Sequence, residues 1–76
     1  MKEGYLGYNK QTQRYGFLVA DLWQNGEGFH AGQSFEVKRN GCWEKMRMEY
    51  DKEKRWYLVS ADGTELYELE HLRIRV

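Results

Sequence analysis

An indole with basic neighbours, Trp43 with Lys38, Lys45 and Arg47, is the group in this sequence best suited to chemistry. Cations beside an aromatic ring stack a nucleobase, hold a phosphate or anchor a protein partner. The competing assignment is structural, with the ring covering the aliphatic stems of Lys38 and Lys45. Phe29-His30 lies in a stretch, residues 24–33, that carries Gly26, Gly28 and Gly32. As the longest irregular connection, that stretch is a natural place for function, and the pair offers a ring and a titratable imidazole. Its structural alternative is a plug that closes one end of a small barrel. Arg73 and Arg75 alternate outward with His71, and either extend the basic face towards phosphates or protect an edge strand from aggregation. The candidate binding set is therefore Trp43, Lys38, Lys45, Arg47, Phe29, His30, Arg73 and Arg75.

Catalysis is disfavoured by the same residue types. A nucleophilic triad needs Ser or Cys near His and an acid, yet Ser34 and Ser60 fall on predicted strands and Cys42 on an apolar face, where a buried structural thiol is expected. Cys42, His30 and His71 lack zinc-ligand spacing, so neither a metal nor a cofactor is expected. The glycine-rich stretch lacks the Lys-Ser/Thr and the following helix of a phosphate loop. Twelve basic and twelve acidic residues give zero formal charge, against a polycation that coats nucleic acid. With 76 residues the chain forms one domain, 1–76, too small to enclose a large cavity, and its core must draw on rings, which make up 16% of it. A single cysteine rules out an internal disulfide and fits a reducing compartment. The longest apolar run is Phe-Leu-Val-Ala at 17–20, so the expectation is a cytoplasmic protein with no membrane contact.

The elements that must position these residues centre on Asn40-Gly41. A two-residue type I′ turn needs φ > 0 at both positions, which Asn and Gly tolerate best. That turn sets Arg39 opposite Cys42, Lys38 opposite Trp43, Glu36 opposite Lys45 and Phe35 opposite Met46. Phe35, Val37, Cys42, Met46 and Met48 then share an inner face, while Ser34, Glu36, Lys38, Trp43, Lys45 and Arg47 share the outer one. A charged turn at 51–54 predicts that Tyr57 and Val59 face the core beside Met48 and Met46, with Trp56 near Glu49. Further strands are predicted at 4–8, at 14–23 with a bulge or a close backbone approach at Gly16, and at 71–76; one helical turn is predicted near 66–70. Five to six short strands without a long helix predict an all-β fold, a strongly bent antiparallel barrel.

Gly32, Phe35, Val37, Asn40-Gly41, Trp43, Arg47-Met48, the Trp56-Tyr57-Leu58-Val59 run, Asp62-Gly63 and Leu72-Arg73 together resemble SH3-like barrels of the Tudor and Agenet kind over residues 32–76. Tudor-type barrels cage a methylated cation with aromatic rings. Tyr5, Tyr8, Tyr15, Phe29 and Trp56 are available for such a cage, but only Trp43 and Tyr57 match the motif. Asp21-Leu22-Trp23, Gly28-Phe29-His30, Arg47-Met48-Glu49 and Trp56-Tyr57-Leu58-Val59 resemble an uncharacterised family, a domain of unknown function. Its members are short bacterial proteins of gut Firmicutes and their phages or conjugative elements. The resemblance implies a mobile-element accessory protein and supplies no catalytic residues. The functional expectation is a non-enzymatic binding module with a protein partner, an interaction or inhibitor protein such as an anti-defence protein against a CRISPR nuclease. The alternative is a nucleic-acid-binding barrel using Lys38, Lys45, Arg47, Arg73 and Arg75; a third reading is a self-associating homodimer.

Overall fold

In the computed structural model, which describes residues 1–76, Asn40 and Gly41 take φ of 51° and 79° and join β4 (Ser34–Arg39) to β5 (Cys42–Tyr50). The pairing runs from Arg39 opposite Cys42 to Ser34 opposite Arg47, as the turn chemistry predicts. Phe35, Val37, Met46 and Met48 are buried on the inner face.

Cys42 is a correction, because it is exposed. It shares the inner side of the ribbon, but beside the turn that side has already left the core. The next pair inward holds Glu44, whose carboxylate accepts from Arg39 at 3.0 Å. Native protein should therefore release about one thiol equivalent to an aromatic disulfide reagent without denaturant. A thiol that reacts only after unfolding would contradict this placement.

A second correction concerns β6 (Trp56–Ser60), which pairs with β5 one residue out of the predicted register: Met48 faces Leu58 and Met46 faces Ser60. The connection is five residues, not four. Asp51 Oδ1 accepts from the backbone N–H of Glu53 at 2.9 Å and of Arg55 at 2.8 Å, and Lys54 takes φ 63°. This turn consumes Arg55, so Leu58 and Ser60 point inward while Tyr57 and Val59 point outward. Buried Ser60 is satisfied locally. Its hydroxyl donates to Asp62 and accepts from Thr64 N–H at 3.2 Å.

The Ser60 hydroxyl and the Thr64 N–H hold Asp62 at a pKa of about 2, down from 3.8. A carboxyl lowered on folding stabilises fully above its unfolded value and loses that contribution as pH falls through the folded one. Wild-type protein should thus lose this contribution between about pH 4 and pH 2, whereas Asp62→Asn should show a flatter acid limb in thermal melts. Equal acid limbs would remove Asp62 as the cause.

Upstream, β1 (Glu3–Asn9) pairs with β2 (Arg14–Val19), and β2 with the two-residue β3 (Leu22–Trp23). The single strand expected over 14–23 is therefore a hairpin, turning at Ala20 and Asp21 with φ of 52° and 62°. No glycine marks that turn in the sequence. The close approach at Gly16 is real: a Cβ there would lie 2.9 Å from the Trp23 ring.

No helical turn forms near 66–70. Leu66 belongs to β7 (Glu65–Leu66), and the chain reverses at His71, with φ 66°, into β8 (Arg73–Arg75). The predicted closing strand is thus shortened, with Ile74 fully buried but Val76 exposed.

The strands form one antiparallel sheet in the order β3-β2-β1-β8-β4-β5-β6-β7. It is bent, not closed, and its edge strands are two residues each, which limits edge-to-edge pairing. Inside lie Leu6, Phe17, Phe29, Phe35, Val37, Met46, Met48, Leu58, Leu69 and Ile74. The 24–33 stretch is pinned rather than loose. Phe17 N–H donates to Asn25 Oδ1 at 2.9 Å, Phe29 N–H to Tyr15 O at 2.8 Å and Gly32 N–H to Met48 O at 2.7 Å. No helix is long and apolar enough to cross a membrane.

Candidate functional site

The hairpin places Lys38 and Trp43 opposite each other on the outer face, and β8 brings Arg75 alongside through its pairing with Glu36. Trp43 is partly exposed. The Arg75 guanidinium lies 4.4 Å from its ring centroid and Lys38 Nζ lies 5.8 Å away. Arg75 also grips Glu36 with two nitrogens, at 2.9 and 3.2 Å, and this contact holds the Glu36 carboxyl below its usual range.

The other two arginines of this face are also occupied. Arg47 pairs with Glu49, and Arg73 sits 3.4 Å from Glu3 and 6.0 Å from the Tyr5 ring. Lys38 and Lys45 stay outside every ion pair of the chain. Six of the eight candidate residues, Trp43, Lys38, Lys45, Arg47, Arg73 and Arg75, are thus on one surface. Phe29 does not present the exposed ring expected of it: it is buried, stacked on Phe35 at 4.4 Å, and fixes its loop to the core. His30 is exposed, on a different surface, with Nε2 3.4 Å from Glu27.

A second aromatic surface was not assembled from the sequence. Tyr8, Gln13, Tyr15, Tyr50, Trp56 and Tyr67 line an open trough with about 360 Å³ of space, together with Lys54 and Arg55. Gln13, Tyr50 and Trp56 also border a neighbouring space of about 540 Å³, walled by Arg14 and His30. Register builds this trough. Tyr8 pairs with Tyr15 beside the 9–13 turn, and Tyr50 with Trp56 beside the 51–55 turn. Their rings meet at 5.2 and 4.5 Å. Burial, with Glu70 and Tyr8 nearby, raises the Tyr15 pKa, so its phenol stays neutral at ordinary pH. Of the rings available for a cage, Tyr8, Tyr15 and Trp56 come together here. Tyr5 and Trp43 lie on the other surface, Phe29 is core, and Tyr57 stacks on Tyr67 at 5.0 Å. Both ring pairs follow from the turn lengths, four residues at 10–13 and five at 51–55, which only the paired strands reveal.

The sequence pattern of the family described as "Domain of unknown function (DUF5348)" matches residues 4–76. The chain belongs to that family. A crystal structure of a protein from Ruminococcus gnavus is similar over 99% of this chain and 100% of its own, with 33% identity and a TM-score of 0.79. No curated protein matches the chain. Membership in DUF5348 assigns no role to any residue, so both surfaces rest on their own geometry.

Proposed function

We propose that the chain is a non-enzymatic protein-interaction module whose contact surface is the outer face around Trp43. The supporting observation is the partly exposed indole in contact with Arg75 and near Lys38, while Arg47, Arg73 and Arg75 each pair with a carboxylate. Protein hot spots favour Trp, Tyr and Arg in a largely neutral setting. The Trp43 ring already carries Arg75 at 4.4 Å and Lys38 at 5.8 Å, which weighs against a nucleobase stacking on it. Within this role, small size and neutral charge fit an inhibitor or accessory protein of a phage or mobile element, including an anti-defence protein that blocks a CRISPR nuclease.

Trp43→Ala tests the reading. Loss of one partly exposed ring and its cation contacts should cost about 1 kcal/mol and leave cooperative melting intact. Nuclease-treated host lysate should yield a protein retained by wild-type bait and lost from the variant. Equal retention by both baits, or an unfolded variant, would remove this surface.

A further inference from the structure

The trough shares no lining residue with the Trp43 face and has a different electrostatic character. The ionisable walls of the trough and of the space beside it, tyrosines aside, are Arg14, His30, Lys54 and Arg55; the nearest carboxylate behind the rings is that of Glu70, which accepts from Tyr8 N–H at 2.9 Å. Arg55 is held by Asp51 at 3.1 Å and Glu53 at 3.0 Å, and His30 by Glu27 at 3.4 Å. Arg14 and Lys54 take part in none of the chain's ion pairs, and the enclosed Arg14 Nε has no hydrogen-bond partner.

The rings are also prepared in a particular way. Trp56 Nε1 donates to Gln13 O at 3.1 Å, and the Tyr67 hydroxyl donates to Asp51 Oδ2 at 3.3 Å. These two polar ends are used internally, while the hydroxyls of Tyr8, Tyr15 and Tyr50 make no hydrogen bond within the chain. What the trough presents is flat faces. Tyr8 and Tyr50 are the open rings, 39% and 46% exposed, backed by Tyr15 and Trp56 respectively. A resident guanidinium, Arg55, already covers Tyr67 at 4.7 Å, so a methylated cation would meet like charge at the wall.

Stackable faces beside unpaired cations match a polymer that alternates planar rings with anions. We propose that this trough binds single-stranded nucleic acid, with bases stacked on Tyr8 and Tyr50 and phosphates held by Arg14 and Lys54. Every base has a π-face, so recognition is tolerant of sequence. The site is independent of the protein contact around Trp43, and each can fail alone. With two phosphates neutralised, log affinity falls against log salt with a slope of about −1.4.

The test is fluorescence anisotropy of a fluorescein-labelled short oligothymidylate at low salt. An abasic oligomer of equal length and an acidic tyrosine-containing peptide serve as competitors. Binding is expected to weaken about tenfold in Tyr50→Leu and in Tyr8→Leu, which keep apolar bulk on the strand but remove the ring. Tyr50→Phe should restore it. Lys54→Gln should flatten the salt slope by about 0.7, and Lys2→Gln, remote from the trough, should leave it unchanged. The proposal is overturned by no binding at low salt or by equal competition from the abasic oligomer. It is equally overturned if folded Tyr50→Leu binds like wild type, or if the acidic peptide competes better than the oligonucleotide.

Discussion

Gly4→Ala should bring this protein to the edge of unfolding. Gly4 is buried in β1, which runs between β2 and β8, and faces Ile74 of β8. A Cβ at Gly4 would lie 2.2 Å from the Leu18 carbonyl oxygen, 2.8 Å from Phe17 Cε1 and 3.0 Å from Val19 Cγ2. The two side-chain atoms could rotate aside, but the carbonyl belongs to the neighbouring strand and cannot move without opening the sheet. Overpacking a core costs about 1–3 kcal/mol when side chains adjust. A backbone obstacle puts Gly4→Ala at about 3 kcal/mol or more, a large share of the roughly 5 kcal/mol expected at the low end for a small domain. The melting midpoint should fall on the order of 15 °C. Gly26→Ala is the control, since a Cβ there meets nothing within 4 Å. Variants that melt within a few degrees of each other would mean that β2 does not cross so close to β1.

Leu58→Ala and Tyr57→Ala, measured together by urea unfolding, test the register of β6. Leu58 is fully buried opposite Met48, while Tyr57 lies on the outer side, stacked on Tyr67 at 5.0 Å. Deleting Leu58 leaves a cavity lined by the core and should cost about 2–5 kcal/mol. Deleting the Tyr57 ring removes one aromatic pair and part of its cover, about 0.5–1.5 kcal/mol. A larger loss at Tyr57 than at Leu58 would restore the register in which Tyr57 faces Met48. Phe35→Ala should join Leu58→Ala at the high end, because Phe35 is buried and also supports Phe29.

The two hairpins show why some registers are legible and others are not. Asn40-Gly41 carries its geometry in its own side chains, or in the lack of one, so pairing from Arg39–Cys42 to Ser34–Arg47 can be counted out from the turn. The 51–55 connection does not. Its length depends on Asp51 capping two N–H groups and on Lys54 accepting a left-handed φ of 63°. One residue of error there exchanged Leu58 with Tyr57. The Ala20-Asp21 turn is less visible still, since neither residue type announces positive φ.

For the surfaces, alternation along a strand was sufficient to set Trp43, Lys38, Lys45 and Arg47 on one side, because a pleated strand sends successive side chains to opposite faces. Whether those cations are free is a different question. Glu36 and Glu3 decide it for Arg75 and Arg73 from other strands, and only the packed sheet brings them together, whereas Glu49 stands two residues from Arg47 on the same face of β5. Composition and local patterning thus settled the all-β class, the central hairpin and the outward indole, all governed by interactions a few residues apart. The burial of Phe29, the exposure of Cys42 and the union of two distant tyrosine-bearing hairpins into one trough were settled by the bending of the sheet. Contacts between residues far apart in the chain depend on where the whole sheet curls, and no short stretch encodes that curvature.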